Sequence, residues 1–336
     1  CTLKEYSQGS HFLLDSQVNL TSTILTSPLF KKSKPDPITD FPPPPPAAVK
    51  RIIDTQVRPF RTLASPKFYS TSTSGDVVNN LVHLPINECW EDGKPLLIVG
   101  NHQFGGLDLG LVIAEMVEVK GRIPRGLAHP VVFRGGMGGN NRTNNGREQT
   151  VGGRGNMGFG QTSYFETFGA VEVGPRNFYR LMENGIPTLL YPGGVREVFH
   201  GRGEEYKLFW PTTPDFIRTA AKFNATIVTL AGVGAYESST IIADQKQLLE
   251  SPIGGRLKEN SERVQNARGK DKEKETFVPP ISIPKFPPAR HYFLFGSPID
   301  LSNVDHKSKT ECGDAYENIK QDLEGNLEKV LKARKG

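Results

Sequence analysis

Short apolar segments alternate with helical segments between residues 94 and 234, and this alternation constrains the fold more than any other feature. The segments KPLLIVGNH (94–102), IPTLLYPGG (186–194) and ATIVTLAGVG (225–234) run through consecutive apolar residues and then break at glycine. Strands of this kind are buried on both faces, as in parallel sheets that helices cover on two sides. The alternation therefore predicts an α/β fold with a largely parallel central sheet flanked by helices.

Helix signals fill the intervals between these strands. The segment 108–121 is apolar on most faces at first and ends at glycine, and 175–185 has proline in its first turn and glycine after its end. Further helices are predicted over 47–64, with a kink or break at Pro59, and over 213–224 and 311–333. Further strands are predicted over 67–70, 76–83, 170–174 and 291–299.

Three segments interrupt this pattern. Residues 1–47 are irregular and end in DFPPPPP, which predicts a polyproline II linker in front of a main domain over 48–336. Residues 135–160 are rich in glycine and asparagine, a composition that predicts a flexible insertion, dispensable for folding and activity. Residues 257–278 are charged and are expected to form a loop.

Composition excludes several classes of function. The net charge of +5 is small for 336 residues and its cations are scattered among acids, so we expect no nucleic-acid partner. An apolar run of about 18 residues is missing, so no spanning helix is expected. The sequence has no HExxH or paired cysteines, which argues against a metal site, and no G-x-S-x-G elbow, which argues against a serine hydrolase in this chain.

The loop GNHQFGGLDLG (100–110) carries the first candidate site. Binding sites in α/β folds form where strands end, and His102 follows the first buried strand directly. Asp108 lies six residues later, at the start of a predicted helix. A carboxylate beside a histidine fixes its tautomer and stabilises the imidazolium, which makes the histidine a general base. The alternatives are a structural His102 and an Asp108 that only caps the helix.

The loop after the strand 187–191 carries the second candidate site. The segment LLYPGGVREVFHGRGEEYKLFWP (189–211) turns on Gly193 and Gly194 and then concentrates charges of both signs. The glycines let backbone N–H groups approach a ligand that a Cβ would obstruct. A solvated loop and an exposed helix are the simplest interpretation of the charges from Arg202 to Lys207.

Several segments together resemble the acyltransferase region of the plant and algal phytyl ester synthase family. They are VGNHQFGGLDLG, RGLAHPVVF, FGAVEVGPRNFYRLMENG, LLYPGGVREVFHGRGEEYKLFWP and RHYFLFGSPID, in this order. The family is similar to type-2 diacylglycerol acyltransferases and, more distantly, to glycerolipid acyltransferases. The resemblance covers roughly 48–333 apart from the insertion, and it implies a glycerolipid-acyltransferase-like domain. Residues 9–24, with His11, resemble the end of the α/β-hydrolase domain that usually precedes it, so 1–47 is expected to hold a remnant of that domain.

The resemblance implies an O-acyltransferase that needs no metal or cofactor. His102 would deprotonate a lipid alcohol, Gly193 and Gly194 would help to hold the oxyanion, and Arg196 would bind a phosphate of the acyl donor or pair with Glu197. Glycerolipid acyltransferases place the acid five residues after the histidine, where this chain has Leu107. Asp108 and Glu197 are therefore rival partners for the His102 ring.

The implied substrates and surroundings follow from the same resemblance. The donor would be acyl-CoA or an acyl carrier protein thioester, and the acceptor diacylglycerol or phytol, giving triacylglycerol or phytyl esters. The protein would attach peripherally to a membrane or lipid-droplet surface in the plastid, including the plastoglobule. The alternatives are the lipase or esterase half of a bifunctional enzyme and a non-catalytic lipid-binding module.

Overall fold

A nine-stranded sheet forms the centre of the computed structural model, which describes residues 35–133, 162–261 and 278–335. In chain order the strands of these ranges are β1 (Lys67–Thr71), β2 (Val77–Val78), β3 (Leu96–Gly100), β4 (Arg125–Ala128), β5 (Val171–Glu172), β6 (Thr188–Leu190), β7 (Thr226–Val233), β8 (Ser239–Ala243), β9 (Ile281–Pro284), β10 (Tyr292–Phe295) and β11 (Ile299–Asp300). The spatial order is β2-β1-β10-β7-β3-β6-β4-β5, with β11 also paired to β7, while β8 and β9 form a separate antiparallel pair.

The direction of the strands confirms the predicted fold class. The five neighbours β7, β3, β6, β4 and β5 all run parallel to one another. β10 is antiparallel to β7 and parallel to β1, so the sheet is mixed on that side. The protein is thus an α/β fold whose central sheet is largely parallel.

Helices cover both faces of this sheet. In chain order the α-helices of the described ranges are α1 (Pro46–Ile52), α2 (Arg58–Ala64), α3 (Ile86–Glu91), α4 (Asp108–Lys120), α5 (Pro130–Phe133), α6 (Thr162–Thr167), α7 (Pro175–Glu183), α8 (Gly194–Val198), α9 (Asp215–Lys222), α10 (Gln245–Glu250), α11 (Gly254–Ser261) and α12 (Lys309–Lys335). α7, α9 and α12 share a core with Leu97 and Val99, and α1, α3 and α4 share another with Leu96 and Ile98. Strand β3 is therefore buried on both faces, which explains its continuously apolar sequence.

The predicted elements agree with the structure where the sequence pattern is long. The helix predicted over 108–121 is α4, and Gly121 ends it in the left-handed region at φ 67°. The strand predicted over 76–83 is wrong beyond β2, because bends and turns follow Val78. Several short elements were not predicted, because they are too short to show a clear period: β4, the β8–β9 pair, α3, α5, α6 and α10.

The helix predicted over 47–64 consists of α1 and α2 with a π-helical turn, Ile53–Val57, between them. Pro59 lies in the first turn of α2. A proline has no N–H to donate to the preceding turn, and a wider turn accommodates that loss. The predicted break therefore occurs as a change of helix type immediately before the proline.

Part of the predicted N-terminal linker packs on the domain, because one compact unit begins at Asp36. Ile38 is buried in the core, and the buried Arg125 donates to the Pro37 carbonyl over 2.5 Å. The predicted hydrolase remnant with His11 and the predicted insertion at 135–160 lie outside the described residues. The predicted loop 257–278 overlaps the helical end of α11 at 257–261, and 262–277 lies outside the described ranges.

Candidate active site

The parallel strands β3, β6 and β7 end at one edge of the sheet, and the loops that leave them form the candidate active site. His102 lies two residues beyond β3, and its ring stacks on the Tyr191 ring with centroids 4.3 Å apart and planes 18° apart. Asn101 anchors the loop by exchanging hydrogen bonds of 2.8 and 2.9 Å with the backbone of Gly232 on β7. The His102 side chain is 14% exposed, so it is enclosed but retains an accessible surface.

Asp108 is the acid that faces the His102 ring. It is the first residue of α4 and 2% exposed, and its Oδ1 lies 3.6 Å from His102 Nδ1. This separation suits an ion pair but exceeds a hydrogen bond, and neither atom has a hydrogen-bond partner within the described ranges. The N-cap position belongs to Leu107, so the capping alternative does not explain Asp108. Catalytic contacts often tighten only when substrate binds.

Glu197 contacts the loop of His102 rather than its ring. Its buried carboxylate accepts one hydrogen bond from the His102 backbone N–H at 2.7 Å and another from the Phe209 backbone N–H at 2.9 Å. The interpretation of Glu197 as the ring partner therefore differs from the structure. The carboxylate ties the end of β3 to the loop that follows α8, and so it fixes where the His102 ring can lie.

Each of the two turn glycines has a structural task, and the oxyanion role predicted for the turn stays a prediction. The Gly194 N–H donates to the Tyr191 carbonyl over 3.0 Å, so the turn itself uses this donor. A Cβ at Gly193 would lie 2.0 Å from Cδ of Glu197, whereas a Cβ at Gly194 would meet open space. Gly193 thus makes room for the buried carboxylate, and Gly194 supplies a left-handed backbone at φ 51°.

We expect Gly193→Ala to be far more damaging than Gly194→Ala. The first change displaces Glu197 from the two N–H groups it accepts, and should lower both turnover and the midpoint of thermal unfolding. The second should cost about 1 kcal/mol for the left-handed backbone and leave most activity in place. Parallel kinetic and unfolding measurements on the pair check this. Equal losses from both variants would contradict the assignment of Gly193 to Glu197.

Arg196 pairs with Glu204 instead of Glu197. Its Nη1 and Nη2 donate to the two carboxylate oxygens of Glu204 over 2.8 and 2.5 Å, and its guanidinium lies 3.9 Å from the Phe209 ring centroid. The hydrogen bond from Arg196 lowers the pKa of Glu204. The phosphate-binding role predicted for Arg196 stays a prediction, since Glu204 uses two of the five guanidinium donors.

Residues 202–207 are partly solvated, as predicted, with Arg202 and Lys207 exposed, but three of their polar side chains also make specific contacts. Glu204 holds Arg196, the Arg202 guanidinium donates to the Ile241 carbonyl over 2.8 Å, and the Tyr206 hydroxyl donates to Glu237. These contacts fasten the loop to the β7–β8 connection and to β8. These side chains therefore brace the loops beside the site, and Tyr206 and Lys207 also line its cavity.

Sequence reasoning missed two polar side chains, Gln103 and His200, in the lining of the site. A small cavity has His102, Gln103, Phe104, Glu197, His200 and Tyr236 among its lining residues. His200 is buried, its Nδ1 lies 2.5 Å from the Glu197 carbonyl, and its Nε2 has no hydrogen-bond partner in the described ranges. Burial lowers the pKa of His200, which favours the neutral ring. Only their positions in the sequence could have pointed to these two residues. Gln103 is the neighbour of His102, and His200 lies in the loop segment that follows Gly194.

No helix among the described residues is long and apolar enough to span a bilayer. In the same ranges no three His, Cys, Asp or Glu side chains are grouped so that they can hold a metal ion.

Comparison with known proteins confirms the predicted resemblance. No family model matches the chain. It is 29% identical over 351 aligned positions to phytyl ester synthase 1, chloroplastic, of Arabidopsis thaliana, covering 99% of this chain and 46% of that protein. It is 31% identical over 339 positions to phytyl ester synthase 2, chloroplastic, of the same plant, covering 96% of this chain and 44% of that protein. The chain thus spans less than half the length of these two relatives.

One solved structure resembles the fold. The crystal structure of the 1-acyl-sn-glycerophosphate (LPA) acyltransferase PlsC from Thermotoga maritima aligns with a TM-score of 0.44 and 12% identity. The alignment covers 84% of this chain and 79% of that one.

Proposed function

We propose that this chain is an O-acyltransferase that moves a fatty acyl group from an acyl thioester to a lipid alcohol. The observation that carries the proposal is the His102 ring, which lies 3.6 Å from the buried Asp108 carboxylate at the carboxyl edge of a parallel sheet. Such a pair supplies a general base that becomes a general acid later in the same turnover. The similarity to two proteins named phytyl ester synthases supports acyl transfer as the reaction.

The proposed reaction uses His102 twice. Its Nε2 takes the proton of the alcohol while the alcohol oxygen attacks the carbonyl carbon of the thioester. The tetrahedral intermediate then collapses, the C–S bond breaks, and the imidazolium returns the proton to the departing thiolate. The Asp108 carboxylate stays beside Nδ1 of His102 throughout the reaction and stabilises the imidazolium. The products are an ester and a free thiol, so atoms and charge balance without a metal or an organic cofactor.

The substrates and location extend the same proposal. The donor is acyl-CoA or acyl carrier protein thioester, and the acceptor is phytol or diacylglycerol. The names of the two relatives favour phytol as the first acceptor to test, and the word chloroplastic in both names supports a plastid location. Since both alcohols reside in lipid, the protein would work at a membrane or lipid-droplet surface such as the plastoglobule.

A matrix of four assays tests these assignments. Purified protein is given palmitoyl-CoA or palmitoyl carrier protein, each with phytol or diacylglycerol in mixed micelles, and ester formation is followed by mass spectrometry. We expect an ester that requires both substrates and a clear preference for one pair. Release of free fatty acid at an unchanged rate with and without the alcohol would show a thioesterase instead.

A further inference from the structure

Gln103 has a buried amide group of which only the oxygen is hydrogen-bonded within the described residues. The residue is 2% exposed, and its Oε1 accepts a hydrogen bond from the Ala235 backbone N–H at 3.0 Å. Its Nε2 is buried and has no hydrogen-bond partner within the described ranges. Leaving such a donor unpaired costs about 1–3 kcal/mol, so buried donors are rarely unpaired without a reason.

The amide is held in one orientation. The Ala235 N–H requires an acceptor, so it fixes which end of the amide is the oxygen and turns Nε2 the other way. Nε2 lies against Gly232, where a Cβ would be 2.5 Å from it, and Asn101 holds the Gly232 backbone at both its N–H and its carbonyl. A donor fixed this firmly is suited to stabilise charge without reorganisation.

Gln103 lies where the proposed reaction requires a hydrogen-bond donor, beside the base. Gln103 follows His102 in the chain, and both line the same cavity. When alcohol attacks a thioester, negative charge develops on the carbonyl oxygen close to the base that removed the proton. Of the two turn glycines predicted for this role, Gly194 already donates its N–H to the Tyr191 carbonyl.

We propose that Nε2 of Gln103 is the oxyanion donor of this site. The inference rests on the proposed acyl transfer and adds a catalytic residue to it. As the new C–O bond forms, the carbonyl π electrons move to oxygen, and Nε2 donates a hydrogen bond to the oxyanion. When the C–S bond breaks, the electrons return and the hydrogen bond to Gln103 weakens. The subsite therefore takes the carbonyl oxygen of an acyl thioester.

The decisive variant is Gln103→Glu. A carboxylate keeps an acceptor for the Ala235 N–H but offers no donor to the oxyanion and repels it. With palmitoyl-CoA and the alcohol that the wild type uses, we expect kcat to fall about 10²–10³-fold, as for the loss of one oxyanion donor, and the KM for the acyl donor to change less than about threefold. If the Gln103→Glu variant does not fold, Gln103→Met replaces it, because methionine has a similar length, no charge and no N–H donor. The same fall in kcat is expected.

A second readout separates catalysis from structure. A palmitoyl-CoA analogue with a trifluoromethyl ketone in place of the thioester forms a hydrated, tetrahedral centre that mimics the intermediate. In the Gln103 variants, the affinity for this ketone analogue should fall by about the same factor as kcat. A thioether analogue, which has no carbonyl, should bind to these variants as tightly as it binds to the wild type. Gln321→Glu, the same change on an exposed position of α12, should alter neither quantity.

Each outcome bears on a different claim. A wild type that makes no ester would overturn the proposed acyl transfer and the role of Gln103 with it. An active wild type whose Gln103 variants keep kcat within about threefold, or lose affinity equally for both analogues, would overturn the role of Gln103 alone.

Discussion

Replacing His102 with alanine is expected to lower the rate of acyl transfer by about 10²–10⁴-fold, the usual effect of losing a general base. Stability should fall by no more than about 1.5 kcal/mol, because the ring gives up a stacking contact with Tyr191. Its Nδ1 makes no hydrogen bond in the described part of the chain. Initial rates at saturating substrates and a thermal unfolding curve measure both quantities on one preparation.

His306→Ala is the matched control for this experiment. His306 also lies near an aspartate, since its Nδ1 is 4.0 Å from Asp305, but its side chain is 37% exposed and far along the chain from the candidate site. This variant should transfer acyl groups at the wild-type rate. Residual activity above half of wild type in His102→Ala would reject His102 as the base.

Glu197→Ala should produce the largest loss of stability among these variants, about 2–5 kcal/mol, because it removes the acceptor of two backbone N–H groups. The alanine leaves the backbone N–H groups of His102 and Phe209 without the carboxylate that they share. Turnover should fall as well, since the loop that carries His102 is released. Urea unfolding at neutral pH gives the free energy, with the exposed Glu317→Ala on α12 as control.

Glu197→Gln should lie between the wild type and the alanine variant. A glutamine oxygen still accepts one of the two N–H groups, but its own NH₂ then faces the other donor. If Glu197→Ala unfolds at the same urea concentration as the wild type, the carboxylate does not hold the loop in the way that its hydrogen bonds indicate.

Local sequence patterns were sufficient for the longer helices and for the long buried strands of the sheet. β3 and β7 are buried on both faces, so their apolar runs are long enough to identify without a structure. The reversed direction of β10 follows from its pairing with β7, a long-range contact that no local pattern records. The short β2 and the β8–β9 pair depend on tertiary contacts in the same way.

The candidate site was predictable where residues follow a strand and unpredictable where a contact crosses the fold. His102 and Asp108 belong to one loop, so their proximity could be inferred from six residues of spacing. Glu197 meets the His102 backbone across 95 residues of chain, and nothing local distinguishes a ring contact from a backbone contact. Arg196 pairs with Glu204 only eight residues away, and the spacing alone does not decide which of the nearby acids it contacts.

The role proposed for Gln103 could not be predicted from the sequence for a different reason. Its side chain is polar and follows a strand, as do many structural residues. Only the structure reveals a buried amide whose oxygen is hydrogen-bonded and whose nitrogen has no partner among the described residues. The glycine turn offered a more familiar source of oxyanion donors. The Gly194 N–H is occupied within the turn itself, which sequence spacing could not show.

The central claim is that an alcohol oxygen attacks the acyl thioester, and isotope labelling tests it most directly. Phytol or diacylglycerol carrying ¹⁸O at its free hydroxyl is incubated with palmitoyl-CoA and the purified protein, and the ester and the free thiol are quantified. The account predicts an ester that retains the full ¹⁸O label, with one thiol released for each ester formed and neither product above background in His102→Ala. Unlabelled ester, or thiol released with free palmitate and no ester, would contradict it.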